Sequence, residues 1–395
     1  MFKLFQGYGP TLLMLLLFTI PSALVAGTPQ PKAWTILVYL NGHNDLDKFG
    51  EEDINEMEVV GSTAQTNLVV QWASLENSER TRRLFIQQDT KPSQVTSPVV
   101  QSLPRVDMGD YRSLIDFAQW GIQNYPAEKY FLIIWNHGGG WHRQELSPLD
   151  ISWDDFSKKL IRTEELSLVT GALKKTLGRK LDILGFDACL MGMAEILSEI
   201  HEDVDLVVAS QEVEPGTGWP YDHFLKSLSP TSPTPPRVLT SNLVEEYIRS
   251  YSGGSQGEED VTLSVIRASA YPALAQALTK ARVELTGARG SSDIVKSYKD
   301  SLRFYSADYV DLGDFAQRLS AARLITPETR DEVLGALQRA VLANGTTNKY
   351  QRALGLSIWF PESAGQLSGN KKRYSSLKFN QQTNWVQVPH KAYSP

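Results

Sequence analysis

Leu181-Asp182-Ile183-Leu184-Gly185-Phe186-Asp187-Ala188-Cys189-Leu190-Met191 is the stretch on which the reading of this chain turns. The apolar run Leu181 to Phe186 has the length of one buried strand. The residues Met191 to Ile200 that follow return to helical spacing, so the pattern predicts a strand that runs into a helix. Upstream, Lys129 to Asn136 is a second such strand and ends at His137. One amphipathic helix, marked by Leu166, Val169, Ala172, Leu173 and Leu177, lies between the two. Strand, helix and strand in that order form a βαβ unit with parallel strands.

The alternation continues on both sides. Trp34 to Leu40, Asn67 to Trp72, Arg83 to Gln87 and Val204 to Ala209 read as further strands. Leu46, Phe49, Ile54, Met57 and Val60 fit one helical face, and from Asp110 the residues Leu114, Phe117, Ala118, Gly121 and Ile122 fit another. This predicts an α/β fold, a mostly parallel sheet covered by helices on both faces. The character then changes. Ser229-Pro230-Thr231-Ser232-Pro233-Thr234-Pro235-Pro236 can continue neither a helix nor a central strand and reads as a connection. Beyond it helices dominate, near Arg237 to Tyr251, Pro272 to Leu285, Asp293 to Phe304 and Thr329 to Leu342. The strands Val261 to Arg267 and Leu354 to Phe360 are expected to extend the sheet or pack on it. The expected organisation is therefore a core over 28–228, a connection over 229–236 and an α-rich C-terminal region over 237–395.

Residues 1–27 are set apart as a cleaved export signal. Lys3 supplies the positive start, Leu12 to Ile20 is apolar apart from Thr19, and Ser22-Ala23-Leu24-Val25-Ala26-Gly27 ends in small residues. The apolar stretch falls short of the roughly 20 residues that span a bilayer. The expected location is thus secreted or periplasmic, with no membrane contact after signal removal. Hydrophobic residues make up 42% and charged residues 21%, an ordinary globular balance. With 39 Lys and Arg against 45 Asp and Glu the net charge is −6, which argues against nucleic acid as a partner.

Export makes Cys189 conspicuous, because it is the only cysteine and so has no disulfide partner within the chain. Reactive groups in an open parallel sheet collect beyond the carboxyl ends of the strands. His137 and Cys189 both fall there, on strands that a βαβ unit places about 4.8 Å apart when adjacent. The helix expected from Met191 would lower the thiol pKa through its N-terminal dipole. Gly138-Gly139-Gly140 leaves room for a substrate backbone and for an amide that faces a developing oxyanion. A buried structural thiol and a loop-capping histidine are the plain alternatives.

Asn136-His137-Gly138-Gly139-Gly140-Trp141, Gly185-Phe186-Asp187-Ala188-Cys189-Leu190-Met191 and Glu214-Pro215-Gly216-Thr217-Gly218-Trp219-Pro220-Tyr221 resemble the core motifs of the clostripain family of cysteine endopeptidases. Val38-Tyr39-Leu40, Asp53-Ile54-Asn55-Glu56-Met57, Val69-Val70-Gln71-Trp72, Met108-Gly109-Asp110 and Gly355-Leu356-Ser357-Ile358-Trp359-Phe360-Pro361 extend the likeness from about Trp34 to Trp385. The resemblance implies a caspase-like three-layer α/β/α fold and peptide hydrolysis by a Cys-His dyad. By that likeness Cys189 is the nucleophile, His137 the general acid and base, and the amides of Gly138 and Cys189 the oxyanion donors. No fixed third residue orients the histidine in that family. The likeness further implies cleavage after Arg or Lys, with Asp187 as the acid at the base of the specificity pocket. A structural carboxylate at the strand end is the other reading of Asp187. Ser210, Gln211, Glu212 and Glu214, with Thr217 and Trp219, are candidates to line the same pocket.

Two departures bear on specificity and cofactors. Thr217 stands where an acidic residue is expected, which weakens the case for a cationic substrate side chain. His43, in Asn41-Gly42-His43-Asn44-Asp45, stands where an acidic residue is commoner, so the sequence does not support the calcium dependence of some relatives, and no cofactor is required. Members of the family often cut themselves between the histidine and the cysteine. Here Arg143, Lys158, Lys159 and Arg162 fall in that interval, and self-cleavage is expected after Lys158, Lys159 or Arg162, unless these cations are only solvated surface. His43, His137, His142, His201, His223 and His390 contain no H-E-x-x-H pair for zinc. Asp308, Asp311 and Asp314, at three-residue spacing, have cation binding as one reading; in the favoured one they flank a turn and a helix start, with Asp314 as the cap. Expected partners are peptides or proteins with basic residues; the oligomeric state is not encoded in any pattern found. Two other functions stay open at this level, a non-catalytic binding protein that keeps the fold and a thiol amidase or transpeptidase acting on cell-wall peptides.

Overall fold

The computed structural model describes residues 31–394 except 92, 143–149, 229–232 and 289, together with 1, 2 and 7. The expected signal, apart from those three residues, Arg143 and the first half of the Pro/Ser/Thr connection lie outside the described residues. Pro31 to Pro395 forms one compact unit.

A nine-stranded sheet organises that unit. Its strands are β1 (Lys32–Gly42), β2 (Thr66–Ser74), β3 (Arg80–Phe85), β4 (Val99–Pro104), β5 (Ala127–Trp135), β6 (Leu181–Asp187), β7 (Val204–Ala209), β8 (Thr262–Arg267) and β9 (Val341–Thr346). They lie in the order β9-β8-β7-β6-β5-β1-β2-β3-β4. The five strands from β7 to β2 pair in parallel, and an antiparallel pair closes each edge. A continuous apolar run is what a parallel strand buried on both faces requires. In β1, Leu37 and Tyr39 join one core, and Ile36, Val38 and Leu40 join the other. The helices α1 (Asp47–Val60) and α5 (Pro236–Ser250) cover the second core, and α2 (Tyr111–Asn124), α3 (Thr163–Leu177), α4 (Ala194–Ile200) and α6 (Tyr271–Gly287) cover the first. The result is the expected three-layer α/β/α arrangement. Among the described residues no helix is long and apolar enough to cross a membrane.

Local chemistry sets the helix starts. The Asp110 carboxylate accepts from the Arg112 amide at the head of α2, and the Glu165 carboxylate accepts from the Arg162 amide at the head of α3. Asp311, and not Asp314, caps the helix Leu312–Ala321, accepting from the Asp314 amide. Other differences lie at the periphery. The strand expected at Arg83 to Gln87 is shifted to Arg80–Phe85, and its partner Val99–Pro104, an edge strand with exposed alternate residues, carried too weak an apolar signal to be expected. The helix expected to reach Leu342 stops at Ala340 because Val341 turns into the sheet edge. Of the two late strands, Thr262–Arg267 extends the sheet, whereas Ser357–Trp359 pairs with Tyr309–Asp311 away from it.

A half-buried ion-pair cluster ties the C-terminal part to the turn that follows His137. Arg373 reaches Asp150 at 2.9 Å and Glu164 at 2.8 Å, and the Asp150 carbonyl accepts from the Gly139 amide. Asp150 is 3% exposed, so removing its cation leaves a buried carboxylate uncompensated. Arg373→Met is expected to lower the unfolding free energy by about 3 kcal/mol; chemical denaturation measures it, and an unchanged midpoint would contradict this role.

Candidate active site

The register of β5 against β6 builds the site. Trp135 pairs with Asp187, so His137 and Cys189 each lie two residues past the same rung. The Asn136 amide donates to the Asp187 carbonyl at 3.2 Å and carries the pairing one step further. His137 and Cys189 line one cavity of about 170 Å³ with Leu46, Asp187, Glu214 and Gly216. Beyond Cys189 the chain does not enter a helix directly. Leu190 takes a left-handed φ of 64°, uncommon for a branched side chain, and α4 begins only at Ala194. The expectation of a helix from Met191 is thereby corrected, and with it the argument that a helix dipole acidifies the thiol. The turn is held instead by the loop after β7, since Leu190 donates to the Glu212 carbonyl and Gly192 to the Ser210 carbonyl.

Several amides converge on the sulfur. Glu214 donates its backbone N–H to Cys189 Sγ at 3.3 Å. The amides of Gly138 and of Cys189 itself also face the sulfur. Gly138 lies so close to Cys189 that a Cβ there would sit 2.3 Å from the Cys189 carbonyl oxygen. Burial nevertheless dominates and pushes the Cys189 thiol up to about 11.

His137 is held from the other side of the cleft. Its Nε2 lies 2.7 Å from Asp45 Oδ1, on the loop that joins β1 to α1. Asp45 was visible in the sequence only as part of that loop, and no periodic pattern singles it out. The same loop is fastened to the hairpin Ile151–Asp154 and Lys159–Ile161: Asn41 and Asn44 donate to the Trp153 carbonyl, and His43 Nδ1 meets Asp154 Oδ2 at 2.9 Å in full burial. Asp154 also accepts from the amides of Met108, Phe156 and Ser157. Its oxygens are committed to that network.

Beneath the cysteine lies a group of buried acids. Asp187 is 5% exposed and accepts from the Tyr221 hydroxyl at 2.9 Å and the Trp219 amide at 3.4 Å. Glu214 stands beside it, and Asp53 on α1 accepts from the Trp135 indole. Gly218, with a left-handed φ of 54°, lets both acids approach, since a Cβ there would sit 3.0 Å from Asp187 and 3.3 Å from Asp53. Burial raises Asp187 to about 6 and holds Asp53 and Glu214 well above the usual carboxylate range, with mutual repulsion adding to both. No lysine or arginine lines this cavity among the described residues. Asp53 lies on the buried face of α1 with Gly50, Ile54 and Met57, so a charged residue on an apolar face was the signal that marked it.

The remaining candidates are placed elsewhere. The Ser210 hydroxyl is buried between the Glu212 carbonyl and Thr262. The Glu212 carboxylate accepts from the amides of Val213 and Tyr305 and from the Tyr350 hydroxyl. Gln211 bridges Asp311 and the Gly355 amide. Thr217 bonds the Tyr251 hydroxyl at 2.9 Å, and the Trp219 ring is packed against Phe131 and Phe224. Lys158, Lys159 and Arg162 are exposed, paired with Asp155, Asp107 and Glu165.

Comparison with known proteins bears on fold and kinship. The sequence model of the clostripain family matches residues 38–390. Clostripain from Hathewaya histolytica is 24% identical over 415 residues, covering 87% of this chain and 77% of that protein. A secreted C11 cysteine protease from Bacteroides thetaiotaomicron, solved with an irreversible peptide inhibitor, superposes with a TM-score of 0.68 at 19% identity over 90% of this chain and 99% of that one. An inactive zymogen C11 protease from Parabacteroides distasonis gives 0.68 at 17% identity, over 90% and 99%. The structural likeness speaks to the fold, and the family match, which spans most of the sequence, settles kinship: the chain belongs to the clostripain family of cysteine peptidases.

Proposed function

We propose that this protein is an exported endopeptidase that cleaves after arginine or lysine through Cys189 and His137. One observation carries the reading: the cavity that holds the thiol and the imidazole also holds Asp187 and Glu214, with no cation of its own. In the proposed reaction Cys189 Sγ attacks the scissile carbonyl as its proton passes to His137. The amides of Gly138 and Cys189 receive the developing oxyanion. Collapse breaks the C–N bond, His137 returns the proton to the leaving amine, and water then hydrolyses the thioester with His137 as base. Asp45 orients the imidazole in this scheme. The chemistry draws on the chain's own residues. Export rests on the leader pattern in residues 1–27, and the negative net charge suits basic substrates.

Cys189→Ala and His137→Ala are expected to lower kcat/KM on an arginyl fluorogenic peptide at least about a thousandfold. Asp187→Asn is expected to cost about a hundredfold on that peptide and little on a neutral one. Equal losses on both peptides would exclude Asp187 as the specificity acid.

The acids also predict a pH dependence. Their pKa values are raised in the free protein, and a bound guanidinium favours their charged forms, so binding a basic side chain releases protons. Binding is therefore strongest above the raised values and weakens as pH falls through the Asp187 value of about 6. KM for an arginyl peptide is expected to rise up to about tenfold per pH unit below that point for each proton displaced. A KM flat to pH 5 would overturn the assignment.

Self-processing is proposed after Lys158, Lys159 or Arg162. Lys158 and Lys159 sit in a tight hairpin, Lys158 with a φ of 55°, so that hairpin has to open before it can be cut. Mass spectrometry of the purified protein beside Cys189→Ala is expected to show two fragments in the wild type only; an intact and fully active wild-type chain would refute processing.

A further inference from the structure

Glu214 touches both halves of the site. Its amide donates to Cys189 Sγ at 3.3 Å, and its carbonyl lies 3.7 Å from the same thiol. Its side chain belongs to the acid group that lines the cavity beside Asp187. The residue is 7% exposed, and neither carboxyl oxygen has a hydrogen-bond partner of ordinary geometry. A buried carboxyl costs free energy, which the Asp187 carboxyl and the Trp219 indole beside it offset only in part.

We propose that Glu214 is a positioning residue through which a basic side chain in the pocket activates the Cys189 thiol, so that the nucleophile is weak in the free enzyme and reactive in the complex. This inference rests on the basic-residue pocket proposed above and adds a coupling between that pocket and the sulfur. The physical path is short. In the free protein the thiol is half-buried, and negative charge on Glu212 disfavours its ionisation further. A guanidinium that enters the cavity pairs with Asp187, which is already largely ionised at pH 7, and lies against the Glu214 carboxyl, so the charge it adds beside the sulfur is positive and favours the thiolate. The Glu214 backbone, bonded to Sγ, keeps the acid and the sulfur at a constant separation while this happens. A thiol ionised only in the presence of substrate is also protected from oxidants between encounters, which matters for a lone cysteine outside the cell.

The experiment uses the whole protein, with methylguanidinium as the probe of the pocket and iodoacetamide as the probe of the thiol. Methylguanidinium is expected to accelerate alkylation of Cys189 about tenfold at pH 7 and to move the midpoint of the alkylation pH profile down by about one unit. Neutral methylurea is expected to do neither. In Glu214→Gln the acceleration is expected to vanish, with a fall in kcat on the arginyl peptide larger than the rise in KM. Unchanged or slower alkylation with methylguanidinium would overturn the proposal, as would equal acceleration by methylurea or an undiminished effect in Glu214→Gln. If that variant does not fold, the two wild-type pH profiles decide. Arginyl and neutral peptides assayed on the same preparation separate the two ideas: an arginine preference without acceleration sinks the coupling alone, and no preference sinks the pocket.

Discussion

The pairing of Trp135 with Asp187, across two parallel strands buried on both faces, is the constraint from which the site follows. Parallel strands in a closed three-layer sandwich cannot slip by one residue without turning an apolar side chain toward the wrong core. The rung therefore fixes where both chains leave the sheet. His137 and Cys189 emerge two residues later at the same end of the sheet and line one cavity. Everything more peripheral, including the hairpin that begins at Ile151 and the loop after β7, braces that exit by hydrogen bonds to the Gly138–Gly139 turn and to Leu190.

The same rung carries an energetic burden. Asp187 ends a strand inside the protein, and Asp53 and Glu214 are brought within its reach by α1 and by the loop after β7. Three acids in one desolvated place are unfavourable unless protonated or paired. The Tyr221 hydroxyl and the Trp219 amide donate to Asp187, and the Trp135 indole to Asp53. A protein built for stability alone would place apolar side chains here. Strain of this kind, together with the left-handed Leu190 beside the nucleophile, is characteristic of a site shaped for a ligand.

Much of this was legible along the chain. The central strands and helices α1, α2, α3, α5 and α6 are long periodic segments, and they appear where their spacing places them. The edges were not. Val99–Pro104 and Val341–Thr346 are half exposed, so their pattern carries little apolar signal, and the second follows a helix without a break. The turn after Cys189 was misread because Met191, Met193 and Ala194 have the spacing of a helix although the loop after β7 pulls the backbone out of one. Among site residues, Cys189 and His137 were evident from strand ends and motifs. Glu212 and Ser210 looked equally suited to a pocket, and the structure engages both in internal hydrogen bonds.

Residue order thus determined which candidate groups the chain carries: one thiol, one imidazole past a strand and an acid two residues before the cysteine. Periodicity and short motifs are local properties, and local properties survive in a linear reading. Tertiary structure decided what surrounds those atoms. That Asp45 meets His137, that Asp53 and Glu214 gather at Asp187, and that the Glu214 amide reaches the thiol all depend on contacts between segments 25 to 134 residues apart. Desolvation and charge proximity act through space, so no spacing rule along the chain contains them.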